Sequence, residues 1–128
     1  MAAGGRILIV EDHQTMREAM RLVLEPEFEI LEAADGIKAV ELIRADPPDL
    51  VLLDLNLPGA SGTEVLAALK GDRATADVPV IVVTATGEEE RERLTRLGAD
   101  GYFTKPFSPL ALIRTVELAL GGAETPGS

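Results

Sequence analysis

Residues 50–62 read LVLLDLNLPGASG, and the start of this stretch decides the fold. A run of Leu and Val without a polar break is typical of a strand buried on both faces, as the central strands of parallel sheets are. Asp54 ends the run. A buried carboxylate without a partner is unfavourable, so a purely structural role does not explain an aspartate at this position.

Four further apolar runs, at residues 6–10, 28–32, 78–83 and 101–104, predict four more strands. A segment with helical periodicity follows each of the five strands, and Gly71, Gly98 and Gly121 are placed to end three of these helices. The apolar positions that mark the helices are, in chain order, Met16, Ala19, Met20 and Val23; Val40 and Ile43; Val65, Leu66 and Leu69; Leu94 and Leu97; and Ile113, Val116 and Leu120, the last group being expected to face the sheet.

This alternation of strand and helix predicts an α/β fold, a doubly wound five-stranded parallel sheet with helices on both faces. Five units are too few for a closed barrel. A chain of 128 residues fits one domain. We expect that domain to occupy residues 1–121, and the small, polar residues 122–128 to form a flexible tail or the start of a linker.

The composition argues against several classes of function. A formal net charge of −10 disfavours direct binding of nucleic acid, because neutralising phosphates requires clustered Lys and Arg. The chain has no cysteine, which excludes disulfides and thiolate metal sites. No apolar stretch approaches the roughly 18 residues of a membrane span, and the N-terminus is too short and weakly basic for a signal peptide. We therefore expect a cytoplasmic protein with no membrane partner.

Polar side chains follow several of the predicted strands. Glu11 and Asp12 come directly after the first strand, Asp54 ends the third, Thr84 the fourth, and Lys105 follows the fifth. Ligands of open α/β sheets bind at the carboxyl ends of the strands, so these five side chains should share one edge.

Three carboxylates at one edge repel each other unless a cation joins them. Oxygen ligands of this kind suit Mg²⁺, which takes one or two carboxylates together with phosphate oxygens. Asp54 is then the natural nucleophile, because carboxylates form acyl phosphates. Thr84 and Lys105 can hold phosphoryl oxygens by hydrogen bond and by charge.

The same residues resemble the receiver domain of bacterial two-component response regulators, including the chemotaxis regulators. The similarity extends from about Arg6 to Leu120. It rests on Glu11-Asp12 after ILIV, Asp54 in LVLLDLNLPGASG, Thr84-Ala85 in VIVVTAT, and Lys105-Pro106 in GYFTKPF. It implies a flavodoxin-like strand order of 2-1-3-4-5.

The resemblance also implies the chemistry and partners. A sensor histidine kinase or phosphotransfer protein would donate a phosphoryl group from phosphohistidine to Asp54. Asp12 would bind Mg²⁺ directly and Glu11 mainly through water. Asn56 would offer its backbone carbonyl to the metal.

The resemblance assigns further roles at the ends of the last two strands. Thr84 and Lys105 would contact the phosphoryl group. Tyr102 would be the switch aromatic that turns inward when Thr84 moves, and Lys105-Pro106 would be a cis peptide bond. Such a domain is a phosphoacceptor that slowly dephosphorylates itself, and we do not expect a turnover enzyme.

Other functions can be weighed against this interpretation. A phosphatase with an aspartate nucleophile needs a second acid two residues later, where this chain has Asn56. A flavodoxin cradles phosphate in a loop rich in Ser, Thr and Gly, where this chain has the acids Glu11 and Asp12. A phospho-independent docking module remains an alternative, although the residues for phosphoryl chemistry are present.

The last helix is the candidate output surface. Leu110 and Leu118 lie off the stripe expected to face the sheet, so we expect them to be exposed and to serve a homodimer or an output partner. Winged-helix regulators of this family dimerise through charged pairs at this face. Here Gly101, Leu110, Ala111 and Thr115 stand at those positions, which disfavours a charge-paired dimer.

Overall fold

The computed structural model describes residues 5–57, 61–84, 88–105 and 108–121, and in these residues five strands alternate with five helices. The elements are β1 (Arg6–Val10), α1 (Gln14–Leu24), β2 (Glu29–Ala33), α2 (Gly36–Ala45), β3 (Leu50–Asp54), α3 (Gly62–Lys70), β4 (Val80–Thr84), α4 (Glu88–Arg96), β5 (Gly101–Thr104) and α5 (Pro109–Ala119). The predicted tail, residues 122–128, lies outside the described residues.

The strands form one parallel sheet in the order β2-β1-β3-β4-β5, which confirms the predicted fold class and the strand order that the resemblance implies. The order reverses between β1 and β3, since the chain moves outward to β2 after β1 and to the other side after β3. Open α/β sheets place their ligand crevice at this point, beyond the carboxyl ends of the strands. Glu11 follows β1 and Asp54 ends β3, so both lie at the crevice.

Three strands have the predicted limits, and two are shifted. β2 begins at Glu29 because the amide of Phe28 still donates to the carbonyl of Leu24, closing the turn after α1 (2.9 Å). β4 begins at Val80 because the amide of Val78 donates within the preceding turn to Thr75 (3.0 Å). β4 then continues through Thr84, one residue beyond the predicted end.

Alternate strand residues supply two aliphatic cores, one on each face of the sheet. In β1, Leu8 and Val10 pack in one core, while Ile7 and Ile9 pack in the other. Helices α2, α3 and α4 cover the first core, and α1 and α5 cover the second. Burial on both faces explains why β3 and β4 are buried along their whole length.

The helix faces were predicted less well than the strands. In α5 the fully buried side chains are Leu112 and Val116, which are four residues apart and therefore on one line of the helix. Ile113, expected in that line, flanks it and is only partly buried. In α1, Ala19, one of the apolar positions whose spacing predicted the helix, is exposed.

The exposed leucines of α5 were predicted correctly. Leu110 is 66% exposed and Leu118 is 56% exposed. The helix starts after Ser108, whose Oγ accepts a hydrogen bond from the amide of Ala111 (3.0 Å). None of the helices in the described part of the chain has the length and apolarity that crossing a membrane requires.

Truncating three apolar residues of α5 should separate its buried and exposed faces. Leu112→Ala should lower the free energy of unfolding by about 3 kcal/mol, because it empties a filled core position. Ile113→Ala should lower it by about half as much, and exposed Leu110→Ala by less than about 0.5 kcal/mol. Urea denaturation measures all three. A larger loss for Ile113→Ala than for Leu112→Ala would contradict the observed helix orientation.

Candidate functional site

The ammonium of Lys105 lies between two acids that are far apart in sequence. Its Nζ is 3.1 Å from Glu11 Oε1 and 3.4 Å from Asp54 Oδ1. Parallel pairing of β1 with β3, and of β4 with both β3 and β5, brings the ends of these strands to one edge. The structure thus brings together three of the residues that the sequence placed in the site.

Glu11 and Asp54 are buried, so the protonation of this group depends strongly on the charges inside it. Glu11 is 1% exposed and Asp54 is 3% exposed. Burial raises the pKa of Glu11, and the nearby Asp54 adds to that rise, while the hydrogen bond from Lys105 opposes it. Burial by itself would lower the pKa of Lys105, but the two carboxylates outweigh it and hold that pKa above its ordinary value. Lys105 is therefore a cation at neutral pH, and one positive charge faces two buried acids.

Asp12 adds a third acid at the rim of the site. Its carboxylate is partly exposed, and its Oδ1 lies 3.7 Å from His13 Nδ1. Single ligand atoms from Glu11, Asp12 and His13 lie within 4.8 Å of one another. Carboxylate oxygens are the ligands that Mg²⁺ prefers, and Asp54 faces the same edge, so the chemistry of the donor set fits this ion. Asn56, whose backbone carbonyl was predicted to join them, is exposed two residues beyond Asp54.

Thr84 and Lys105 are joined through the backbone. Thr84 ends β4 and is fully buried, and its carbonyl accepts a hydrogen bond from the amide of Lys105 (2.8 Å). Tyr102 pairs with Val82 in the sheet, two residues before the pair formed by Thr84 and Thr104. Since side chains alternate along strands, Thr84 and Tyr102 lie on the same face of the sheet.

Tyr102 is only partly buried, and it packs at the edge of one core. The guanidinium of Arg91, on α4, lies 5.4 Å from the centre of its ring, within the range of a cation–π contact. Tyr102 thus joins the sheet to α4. The predicted cis peptide bond involves Pro106, which lies outside the described residues.

The start of α3 packs against the backbone of Asp54 and Leu55. The amide of Gly62 donates to the carbonyl of Leu55 (2.9 Å). A Cβ at Gly62 would lie 2.4 Å from the Leu55 Cα and 2.6 Å from the Asp54 carbonyl oxygen. Only glycine allows this approach. Ser61 and Glu64 cap the helix reciprocally, which anchors it at this point.

Two features beside the acids were not singled out from the sequence. Arg17, on α1, donates from Nη1 to the carbonyl of Glu11 (2.8 Å). Its partner Glu32 lies on β2, and only the tertiary fold brings them together. A shallow cavity of about 390 Å³ opens beside Lys105, lined by His13, Thr15, Met16 and Ala19 as well. Ala19, which is exposed on α1, forms part of the wall of this cavity.

Comparison with known proteins identifies relatives of this chain. A family model described as the response regulator receiver domain matches residues 7–117. The chain is 45% identical, over 117 residues, to the phosphate regulon transcriptional regulatory protein PhoB of Escherichia coli (strain K12). That match covers 90% of this chain and 51% of PhoB, so the chain spans about half the length of that relative.

Shorter relatives are matched over more of their length. The chemotaxis protein CheY of Halobacterium salinarum is 41% identical over 104 residues, which cover 80% of this chain and 85% of CheY. Among solved structures, the receiver domain of the sensor histidine kinase PA1611 from Pseudomonas aeruginosa PAO1 superposes with a TM-score of 0.81 at 32% identity. This similarity covers 93% of this chain and 99% of that domain, which has a magnesium ion coordinated in its active-site cleft.

Removing the ammonium of Lys105 should destabilise the fold when no metal is present. Lys105→Met leaves Glu11 and Asp54 buried without their shared cation. The free energy of unfolding in EDTA should fall by about 2 kcal/mol, less than the roughly 3–5 kcal/mol of a fully buried pair because water reaches Lys105. Saturating Mg²⁺ should restore most of the loss, because it supplies another cation at the same edge.

Urea denaturation in EDTA and in Mg²⁺ measures this effect. Lys38→Met, at an exposed position of α2, removes the same charge elsewhere and should show no such dependence on Mg²⁺. Equal stability of Lys105→Met and the unaltered chain in EDTA would show that the two acids need no compensation from this residue.

Proposed function

The chain belongs to the response regulator receiver domain family, and we propose that Asp54 is the residue that accepts its phosphoryl group. Receiver domains of two-component systems are phosphorylation-dependent switches, so the chain is a signalling module. The observation that carries the assignment is the position of Asp54. It is a buried carboxylate at the end of a central strand, 3.4 Å from an ammonium and beside a second buried acid.

The proposed step is a transfer between two side chains. An oxygen of Asp54 attacks the phosphorus of a phosphohistidine, the P–N bond breaks, and an acyl phosphate and a neutral imidazole result once a proton reaches the leaving nitrogen. Lys105 would neutralise the phosphoryl oxygens, and the Thr84 hydroxyl would donate a hydrogen bond to one of them. Slow hydrolysis of the acyl phosphate by water would return the domain to its resting form.

A divalent ion belongs to this proposal. Asp12, Asp54 and the Asn56 carbonyl would hold Mg²⁺, with Glu11 acting mainly through water. The ion would supply positive charge that lets a phosphate-bearing donor approach an acidic pocket. The support is the carboxylate oxygens of Glu11 and Asp12 at this edge and the magnesium present in the related receiver of PA1611.

The phosphoryl group would change the contacts of Lys105. Its ammonium now pairs with Glu11 and Asp54, and a dianion on Asp54 would compete for it. Thr84 is tied to Lys105 through the backbone and shares a face of the sheet with Tyr102. We therefore propose that movement of Thr84 releases space for Tyr102 to turn inward, away from Arg91, and so alters the face formed by β5 and by α5, which contacts that strand.

The proposed partners follow from two surfaces. A sensor histidine kinase or phosphotransfer protein would approach at the cavity beside Lys105, where His13 and Met16 form part of the rim. A second copy or an output partner would use the face of α5 that exposes Leu110 and Leu118. The net charge of −10 opposes direct binding of nucleic acid by the domain. We place the domain boundary near residue 121, beyond the family match.

Incubation with acetyl phosphate and Mg²⁺ should add one phosphoryl group to the chain. The Asp54→Asn variant should gain none, because an amide oxygen is not an effective nucleophile at this position. Intact-mass spectrometry measures both. Asp12→Asn serves as a comparison that keeps Asp54 but weakens the metal site, and it should be phosphorylated more slowly. Uptake by Asp54→Asn at the rate of the unaltered chain would refute the assignment.

Activation should change association through α5. Adding beryllofluoride, a phosphoryl mimic, with Mg²⁺ should raise the sedimentation coefficient, and Leu110→Glu should prevent the rise because it places a charge in an apolar contact. Leu22→Glu is the matched control, since Leu22 is an exposed leucine on α1. Sedimentation velocity, with and without beryllofluoride, measures this change for each variant. If Leu110→Glu and Leu22→Glu behave alike, α5 is not the surface of self-association.

A further inference from the structure

Both backbone polar groups of Glu11 are held by hydrogen bonds. The amide of Glu11 donates to the carbonyl of Ala33 on β2 (3.0 Å). Its carbonyl accepts from Nη1 of Arg17 (2.8 Å). The first bond is a continuation of the strand pairing, while the second comes from a side chain on α1. Arg17 therefore contacts the loop that carries the two acids without contacting either carboxylate.

Arg17 is itself held in place by an acid on another strand. Its Nε donates to Glu32 Oε1 (2.7 Å), and the Arg17 side chain is only 17% exposed. The second oxygen of Glu32 pairs with Arg21, one turn further along α1. Burial would raise the pKa of Glu32, but the hydrogen bonds from Arg17 and Arg21 lower it, so this carboxylate stays charged. The planar guanidinium of Arg17 thus spans β2 and the loop after β1 in one orientation.

The Glu11 carbonyl matters because it belongs to the peptide plane that precedes Asp12. Fixing that plane fixes the N–Cα bond of Asp12, so that only rotation about this one bond is left to set the direction in which the side chain leaves the backbone. The neighbouring restraints are weaker. The amide of His13 reaches Glu11 Oε2 at 3.3 Å, and the Asp12 carboxylate has an exposed imidazole 3.7 Å away.

We propose that Arg17, oriented by Glu32, is a positioning residue that aims Asp12 for the divalent ion. This inference rests on the proposed metal site and goes beyond it, because neither residue is a ligand. Residues that contact a metal's ligands, without contacting the metal, orient those ligands and contribute to the affinity for the metal.

The charge of Arg17 and its positioning role predict opposite effects on Mg²⁺ binding when the residue is removed, which allows a decisive test. Removing a positive charge near a cluster of carboxylates should strengthen binding of a cation if only electrostatics mattered. Losing the orientation of Asp12 should weaken it. Arg17→Ala should therefore raise the dissociation constant for Mg²⁺ roughly tenfold, the low end of what such supporting residues contribute.

Arg21→Ala is the matched control. Arg21 lies on the same helix and pairs with the same Glu32, but among its contacts in the described residues none is with Glu11. Its removal should leave the dissociation constant for Mg²⁺ unchanged or slightly lower. Arg17→Lys keeps the charge but cannot donate to Glu32 and to the Glu11 carbonyl in one planar arrangement, so it should bind Mg²⁺ more weakly as well.

Titration of each variant with Mg²⁺ alone, followed by amide chemical shifts, gives the dissociation constants, and thermal melts in EDTA show whether each variant is folded. Glu32→Gln should weaken binding in the unaltered chain and add nothing in Arg17→Ala, because it acts through Arg17. If Arg17→Ala is unfolded, Arg17→Lys decides between the outcomes, because it keeps the positive charge and loses only the planar arrangement.

The outcomes separate this inference from the metal site on which it rests. Asp12→Ala should bind Mg²⁺ poorly. If it binds like the unaltered chain, the proposed site is wrong and the inference falls with it. If Asp12→Ala loses binding while folded Arg17→Ala and Arg17→Lys bind as tightly as Arg21→Ala, the site stands and the positioning role is refuted.

Discussion

The structure depends on one ammonium that serves two buried carboxylates. Taking an acid out of water is unfavourable unless a cation and hydrogen bonds compensate it. Lys105 gives that compensation to Glu11 and Asp54 together, and in doing so it ties the end of β5 to the ends of β1 and β3. The balance is incomplete, because two acids face one cation and Asp12 stands at the rim. A site with this deficit favours a divalent ion and responds strongly to added negative charge.

The fold determines where these charged groups meet and how far their backbone can move. A parallel sheet whose strand order reverses between β1 and β3 leaves a crevice at their carboxyl ends. Gly62 brings α3 against the backbone of Asp54, and Thr84 is bonded through its carbonyl to the amide of Lys105. These backbone restraints limit the ways in which the site can absorb a new charge. In the proposed switch, it is the side chains, Tyr102 among them, that respond.

Much of this could be predicted from the sequence because the relevant signals are local. Continuous aliphatic runs mark strands buried on both faces, and the polar residue after each run marks the edge. The predictions that failed concerned features that are set by contacts with neighbouring elements. The start of β2 is set by a hydrogen bond from the Phe28 amide in the turn after α1. The way α5 lies on the sheet makes Leu112 fully buried and leaves Ile113 only partly buried beside it. Arg17 and Glu32 are fifteen residues apart, and no periodicity relates them.

Negative charge placed on Asp54 should draw Lys105 away from Glu11. A crystal structure of the chain with Mg²⁺ and beryllofluoride tests it most directly. We expect beryllium bonded to an Asp54 oxygen and Tyr102 turned inward. We expect Lys105 Nζ to lie within hydrogen-bond distance of a fluoride and no longer 3.1 Å from Glu11. Beryllofluoride bound elsewhere, or a Lys105 ammonium still seated between Glu11 and Asp54, would contradict it.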